Sequence, residues 1–272
     1  MRPELAIPPE PGIAKPDPVL KIDGLRRAFG GLRAVDIDHL EIERNTITSI
    51  IGPNGAGKTT LFNLLTGFET PDGGQFSLDA DLLVGVPAHR VAQRGMVRTF
   101  QLTKVLPGLS VLDNMLVAAR EQPGATLRGA ILGRWRHAER RNEEQARDIL
   151  QRFGLIAMEA EYAGRLSGGQ RKLLEMARAL MVRPSVVMLD EPTAGVNPVL
   201  IASLLEHVKG LREAGMTVLF VEHDMDVVHS ISDWVVVLAE GHVIAEGPPG
   251  VIVRNPAVIE AYLGSHRGED VR

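Results

Sequence analysis

The sequence predicts an α/β fold built on a mostly parallel core sheet, with an antiparallel β layer near the N-terminus and a helical insert in the middle. Three observations predict it. From Val19 onward, short β-branched runs alternate with longer segments of helical spacing, the pattern of a parallel sheet wrapped by helices. The runs 46–51, 186–190, 217–221 and 234–238 are nearly all apolar rather than alternating, as strands buried on both faces are. The stretch Ser110 to Phe153, by contrast, holds few β-branched residues and ends in an Arg- and Glu-rich segment of helical composition.

In chain order, Met1 to Pro18 contains six prolines and no apolar stretch of the kind a signal peptide carries. It reads as a disordered or extended tail. The segments 20–27 and 37–42 read as strands of the smaller antiparallel layer, with Gly30-Gly31 breaking the chain between them. Ser110 and Asp113 have the spacing of a capping box at the start of the insert. The charge run His137 to Arg152 reads as a solvated helix face, with contact to a partner as the alternative. Leu127, Ile131, Leu132 and Trp135 fit either a short amphipathic piece or a loop. Gly241 is placed to turn a hairpin from 234–238 into 242–245. These elements make one large domain over 19–264, with the insert at about 102–182 and short tails at 1–18 and 265–272.

Composition narrows the function classes. With 30 Lys+Arg against 34 Asp+Glu, the chain lacks the basic excess that neutralising many phosphates of a nucleic acid requires, so no nucleic-acid partner is expected. Cysteine is absent, which removes disulfides and thiolate metal ligands. No run of about eighteen apolar residues occurs, so no segment is expected to span a bilayer as a helix.

The strongest chemical signal is Gly52-Pro53-Asn54-Gly55-Ala56-Gly57-Lys58-Thr59, which fits G-x-x-x-x-G-K-[ST] between a strand and a helix start and is followed by Thr60. Small residues let successive backbone N–H groups face a phosphate. The helix N-terminus adds its positive dipole end, Lys58 adds a full charge, and the Thr59 hydroxyl is available to Mg²⁺. A nucleotide and Mg²⁺ are the expected ligands, and the loop alone does not choose among kinases, GTPases and transport ATPases. Further on, SVVMLDE at 185–191 reads as a buried strand ending in two carboxylates, where open α/β sheets meet their ligands. Asp190 is placed to hold Mg²⁺ directly or through water, and Glu191 to polarise an attacking water. Taken alone, the segment reads equally well as two acids in an ordinary strand-to-loop turn.

Ahead of it stands Leu166-Ser167-Gly168-Gly169-Gln170, followed by Leu173, Leu174, Ala177, Leu180 and Met181 on one helical face. Ser167 can cap that helix, and the amides of Gly168 and Gly169 can receive an anion. In this order, phosphate loop, LSGGQ and SVVMLDEP together closely resemble the ATP-binding-cassette proteins, and the resemblance extends over most of 19–264. It implies that Ser167, Gly168, Gly169 and Gln170 contact the γ-phosphate of ATP held by an opposite subunit. By the same resemblance, Phe29 is the aromatic that stacks on adenine. Gln101 in VRTFQ is implied to sense Mg²⁺ and the attacking water, and His223 in FVEHDM to contact the γ-phosphate. Asn197 stands where such cassettes often carry Asp.

Segments 29–35, 66–74, 97–101, 194–198 and 255–264 further resemble the larger ATPase subunit of high-affinity branched-chain amino-acid importers. That resemblance implies a second cassette subunit as partner, identical or different, transmembrane permease subunits and indirectly a solute-binding protein. The implied location is the cytoplasmic face of the cell membrane, and 101–119 is the candidate docking segment for the permeases. Cassettes for urea or amide uptake or for lipopolysaccharide export are the alternatives, followed by a non-transport cassette ATPase.

Overall fold

The computed structural model describes residues 5, 7–99, 105–119 and 135–266. They fall into two compact units, one drawn from Met1–Arg98, Ser185–Glu191 and Val208–Arg272, the other from Thr99–Pro184 and Pro192–His207. The second unit thus includes, besides the insert, the segment that follows Glu191.

The first unit carries two sheets. Strands β1 (Pro18–Phe29), β2 (Leu32–Glu43), β4 (Gly73–Leu78) and β5 (Asp81–Leu82) form an antiparallel sheet in the order β2-β1-β4-β5. The core sheet has the order β10-β9-β3-β8-β7-β6, from β3 (Ile47–Ile51), β6 (Met96–Arg98), β7 (Val186–Asp190), β8 (Thr217–Val221), β9 (Trp234–Ala239) and β10 (His242–Gly247). Every pairing in it is parallel except β9 with β10, the hairpin turned at Glu240-Gly241. All residues of β3, β7 and β8 are buried, and apart from Thr48, Ser49, Asp190 and Thr217, which are buried with the rest, they are apolar. Between the sheets lies a core that includes Leu20, Ile22, Ile37, Leu40, Phe62, Phe76, Met188 and Trp234. The helix Lys58–Leu65 buries Leu61, Phe62, Leu64 and Leu65. Strand β4 escapes a reading by apolar runs because only Phe76 and Leu78 in it are apolar side chains, and β5 and β6 because they are two and three residues long.

The second unit contains the helices Val111–Val117, Trp135–Arg152 and Gly168–Ala179. Ser110 caps the first, its hydroxyl accepting from the Asp113 N–H at 2.9 Å. On Trp135–Arg152, Ala138, Ala146, Ile149 and Leu150 are buried, and Arg147 faces out to pair with Glu143 and Glu159. Leu127, Ile131 and Leu132 lie outside the described residues, as does the side chain of Trp135.

Residues 7–17, read from the sequence as part of a disordered or extended tail, belong to the first unit and are tied into it by side-chain contacts. Lys15 is buried, and its Nζ donates to Glu246 Oε2 at 2.6 Å and stands 4.4 Å from the centre of the Trp234 ring. The Lys15 N–H donates to Glu41 Oε2 at 2.7 Å, and the Ile13 N–H donates to Glu246 Oε1 at 3.2 Å. The prolines prevent ladder pairing, but one buried cation and two carboxylates from β2 and β10 fix the segment in their place.

Candidate functional site

Strand register brings the chemistry of the first unit together. Val221, the last residue of β8, lies opposite Ile50 of β3 on one side and Asp190 of β7 on the other. The C-terminal ends of three adjacent parallel strands therefore open at one edge of the sheet. The phosphate-loop segment leaves from β3, Asp190-Glu191 from β7 and Glu222-His223 from β8. That edge is where parallel α/β sheets place their ligands.

The loop's glycines are required by close approach. Gly57 has φ of 99°, and a Cβ there would run into the Ala34 carbonyl of β2; one on Gly52 would run into the Leu238 carbonyl of β9. The loop is thus seated on two strands while Asn54, Gly55 and Thr59 stay exposed. Lys58 Nζ curls back to donate to the carbonyls of Gly52 at 2.6 Å and Pro53 at 2.9 Å, spanning the loop from inside. Burial pushes the Lys58 pKa below its ordinary value, and the charges of Glu191 and Asp190 oppose that shift. Both effects mark a cation held among dehydrated groups, ready for an anion.

Asp190 closes β7 with its side chain 3 % exposed. Arg98, at the end of β6, donates from one nitrogen to Asp190 Oδ2 at 2.6 Å and from another to Asn63 Oδ1 at 2.6 Å. Asp190 Oδ1 is buried and has no hydrogen-bond partner. An oxygen left open beside a phosphate loop suits Mg²⁺ or a water of its coordination shell, because hard cations take oxygen ligands and Mg²⁺ keeps several waters. Among the described residues no group of three or more His, Cys, Asp or Glu could hold a metal by itself. The donor set therefore fits an ion that brings most of its oxygens with it as phosphate and water.

Glu191 is half-buried and adopts φ of 45°, a left-handed conformation that is uncommon for a residue other than glycine. Its N–H donates to the Val221 carbonyl at 3.0 Å, so the chain turns out of the sheet immediately after Asp190. Such conformations cost about 1–3 kcal/mol and cluster at functional sites. His223 is exposed, with its N–H donating to Glu222 Oε2 at 3.1 Å, and Asp224 caps the following helix Met225–Ile231. Phe29 ends β1 at the hairpin whose returning strand supplies Ala34 to the loop. It is 44 % exposed, with the Arg27 guanidinium 4.6 Å from its ring centre.

In the second unit, Ser167 caps the helix Gly168–Ala179 through a complete capping box. Its hydroxyl accepts from the Gln170 N–H at 3.2 Å, and its own N–H donates to Gln170 Oε1 at 2.9 Å. Ser167 and Gly168 are exposed. Lys172, one turn on, donates to the carbonyls of Pro192 at 2.9 Å and Ala194 at 2.6 Å, tying the segment after Glu191 to this helix. Gln101 lies outside the described residues. Sequence reasoning overlooked Arg98 and Lys172. Arg98 stands in the VRTFQ segment beside the glutamine that drew attention, and its partners are 35 and 92 residues away in the chain.

Comparisons with known proteins bear on the family of the chain. The family described as "ABC transporter" matches residues 35–194, and "Branched-chain amino acid ATP-binding cassette transporter" matches residues 242–267. The chain is 43% identical over 250 residues to the high-affinity branched-chain amino acid transport ATP-binding protein BraF of Pseudomonas aeruginosa, covering 91% of this chain and 98% of that protein. It is 42% identical over 250 residues to the high-affinity branched-chain amino acid transport ATP-binding protein LivG of Escherichia coli K12, with 91% and 98% covered. A crystal structure of the ADP conformation of an ATP-binding cassette of an ABC transporter superimposes with a TM-score of 0.79 at 35% identity, covering 91% of this chain and 99% of that one.

Proposed function

The chain belongs to the ATP-binding-cassette transporter family, and from that premise we propose that it is the ATP-hydrolysing subunit of an importer of branched-chain amino acids. The observation that carries the chemistry is the convergence of the Lys58 loop, Asp190 with its open Oδ1, and Glu191 at one edge of the parallel sheet. The observation that carries the substrate is the match of residues 242–267 to a family described by branched-chain amino acids, alongside relatives of the same description.

In this reading the backbone of 52–60 wraps the phosphates of ATP, and Phe29 offers its exposed ring to the adenine. Lys58 leaves the Gly52 and Pro53 carbonyls to face the β- and γ-phosphates. Glu191 takes a proton from the water that attacks the γ-phosphorus while the bond to the β–γ bridging oxygen breaks, releasing ADP and inorganic phosphate, and His223 and Gln101 orient the γ-phosphate and that water. Mg²⁺, held through Thr59 and Asp190, with Gln101 sensing it, would spread the charge that develops on the phosphate oxygens. Ser167, Gly168, Gly169 and Gln170 approach the γ-phosphate on a second cassette subunit, so two chains close on two nucleotides and move the permease subunits. No helix among the described residues is long and apolar enough to cross a membrane. The relatives' description as transport ATP-binding proteins supports placing the chain at the cytoplasmic face of the membrane, attached through those permeases.

Two measurements test the reading. Lys58→Ala is expected to remove most ATP binding or turnover, since the loop loses its facing charge; undiminished affinity and hydrolysis would refute the assignment of the loop. Deleting the subunit in its native cell is expected to abolish high-affinity uptake of leucine, isoleucine and valine. Loss of urea or amide uptake, with all three amino-acid uptakes intact, would replace the substrate while keeping the ATPase.

A further inference from the structure

We propose that Arg98 is a positioning residue for the metal step: it fixes the Asp190 carboxylate through one oxygen so that the other is presented to Mg²⁺. The proposal rests on the reading of Asp190 as a metal residue and adds the group that makes Asp190 fit for it.

The arrangement is specific. Arg98 is the last residue of β6, paired in register with Met188 two positions before Asp190. Its side chain is 6 % exposed and Asp190's is 3 %, so this is a buried ion pair. One guanidinium nitrogen bonds Asp190 Oδ2 and another bonds Asn63 Oδ1, both at 2.6 Å. The guanidinium carbon lies 5.5 Å from the centre of the Phe62 ring. Phe62 and Asn63 both belong to Lys58–Leu65, the helix that begins at the phosphate loop. Arg98 therefore braces the carboxylate at the end of β7 against that helix. Arginine suits the task because its planar fork reaches two acceptors in fixed directions, which a lysine ammonium cannot do.

The unequal use of the two carboxylate oxygens is the telling feature. Oδ2 takes the short charge-assisted bond, while Oδ1 is buried and unbonded. A buried acceptor without a donor is costly, so it calls for a ligand that arrives later. Without Arg98 the carboxylate could rotate and divide that vacancy between both oxygens. The guanidinium's charge opposes a second cation, but Asp190 already matches that charge. What the geometry adds is direction. Outer partners of metal ligands are typically worth about 10- to 100-fold in metal affinity for this reason.

The test separates metal from nucleotide. Affinity of the full chain for a fluorescent ATP analogue is measured in EDTA and in excess Mg²⁺, and the ratio of the two is the metal's contribution. Asp190→Asn is expected to collapse that ratio. Arg98→Gln and Arg98→Lys are each expected to reduce it about tenfold while leaving the affinity in EDTA within about twofold. Arg98→Lys keeps the buried charge pair, so it remains informative if the glutamine variant melts too low to study. Should Arg98→Lys keep the wild-type ratio, or raise it, charge and not direction is what Arg98 supplies, and the proposal fails. An equal loss in EDTA and in Mg²⁺ would make Arg98 merely structural and would also overturn it. If Asp190→Asn leaves the ratio untouched, the metal assignment of Asp190 itself is wrong; if only the Arg98 variants leave it untouched, that assignment stands and the positioning role alone is lost.

Discussion

Glu191→Gln is expected to bind Mg-ATP and to hydrolyse it about 10²- to 10⁴-fold more slowly, the range a general base typically contributes. The substitution separates binding from chemistry. Phosphate contacts in this reading come from the 52–60 loop, which is seated on Ala34 and Leu238. An amide of the same size keeps the turn at φ 45° and the N–H bond to Val221, because both belong to the backbone. What it loses is the capacity to accept a proton from water. Removing one negative charge beside the triphosphate should also favour the closed pair of subunits, so the variant should accumulate as an ATP-bound dimer with its partner cassette.

Adding Ser167→Arg to that variant is expected to disperse the dimer. Ser167 is exposed at a helix start whose capping box fixes the backbone amides of Gly168 and Gly169, and a long cationic side chain would fill the approach to the partner's nucleotide. Size-exclusion chromatography with and without Mg-ATP, with the partner cassette present, reads both effects. Wild-type turnover by Glu191→Gln would remove Glu191 from the role of base. A dimer indifferent to Ser167→Arg would remove the signature segment from the interface.

How much of this was legible in the sequence depended on how local each signal was. The runs of β3, β7 and β8 stood out because both of their faces are buried, so few polar residues interrupt them. The phosphate loop was legible because its residues form one contiguous motif, although the carbonyls that require glycine at 52 and 57 belong to Leu238 and Ala34. Ser167 and Gln170 satisfy each other three residues apart, which a sequence pattern can express. By contrast β4 shows only Phe76 and Leu78 as buried residues, too few to separate it from the turn that precedes it. Arg98 escaped because its meaning lies in Asn63 and Asp190, partners that only strand order brings beside it. The contacts of residues 7–17 were hidden for the same reason: their prolines are visible locally, whereas Glu246 lies 231 residues from Lys15.

That segment carries the second large effect. Lys15→Met is expected to destabilise the first unit by about 3–5 kcal/mol, the usual consequence of leaving one member of a buried ion pair alone. The side chains of Lys15 and Glu246 are 1 % and 0 % exposed, so solvent can neither screen the pair nor replace the lost partner. Burial pushes the Lys15 pKa below its ordinary value despite hydrogen bonding and attraction by Glu246, which means that dehydration of the ammonium outweighs what the pair returns to it. A buried pair of this kind holds position more than it adds stability. The double variant Lys15→Met with Glu246→Gln should therefore recover much of the loss, because it leaves no unpaired charge. The glutamine oxygen can still accept from the Trp234 indole, now bonded to Glu246 Oε2 at 2.8 Å, although the amide nitrogen cannot accept from the Ile13 N–H as Oε1 does. Deleting residues 1–17 should resemble the single variant, since it too strands Glu246. At about 2–4 °C per kcal/mol for a chain of this size, thermal melting should fall by roughly 10 °C for Lys15→Met and the deletion, and by much less for the double variant. A deletion that melts with the intact chain would show that the segment rests on the unit without supporting it.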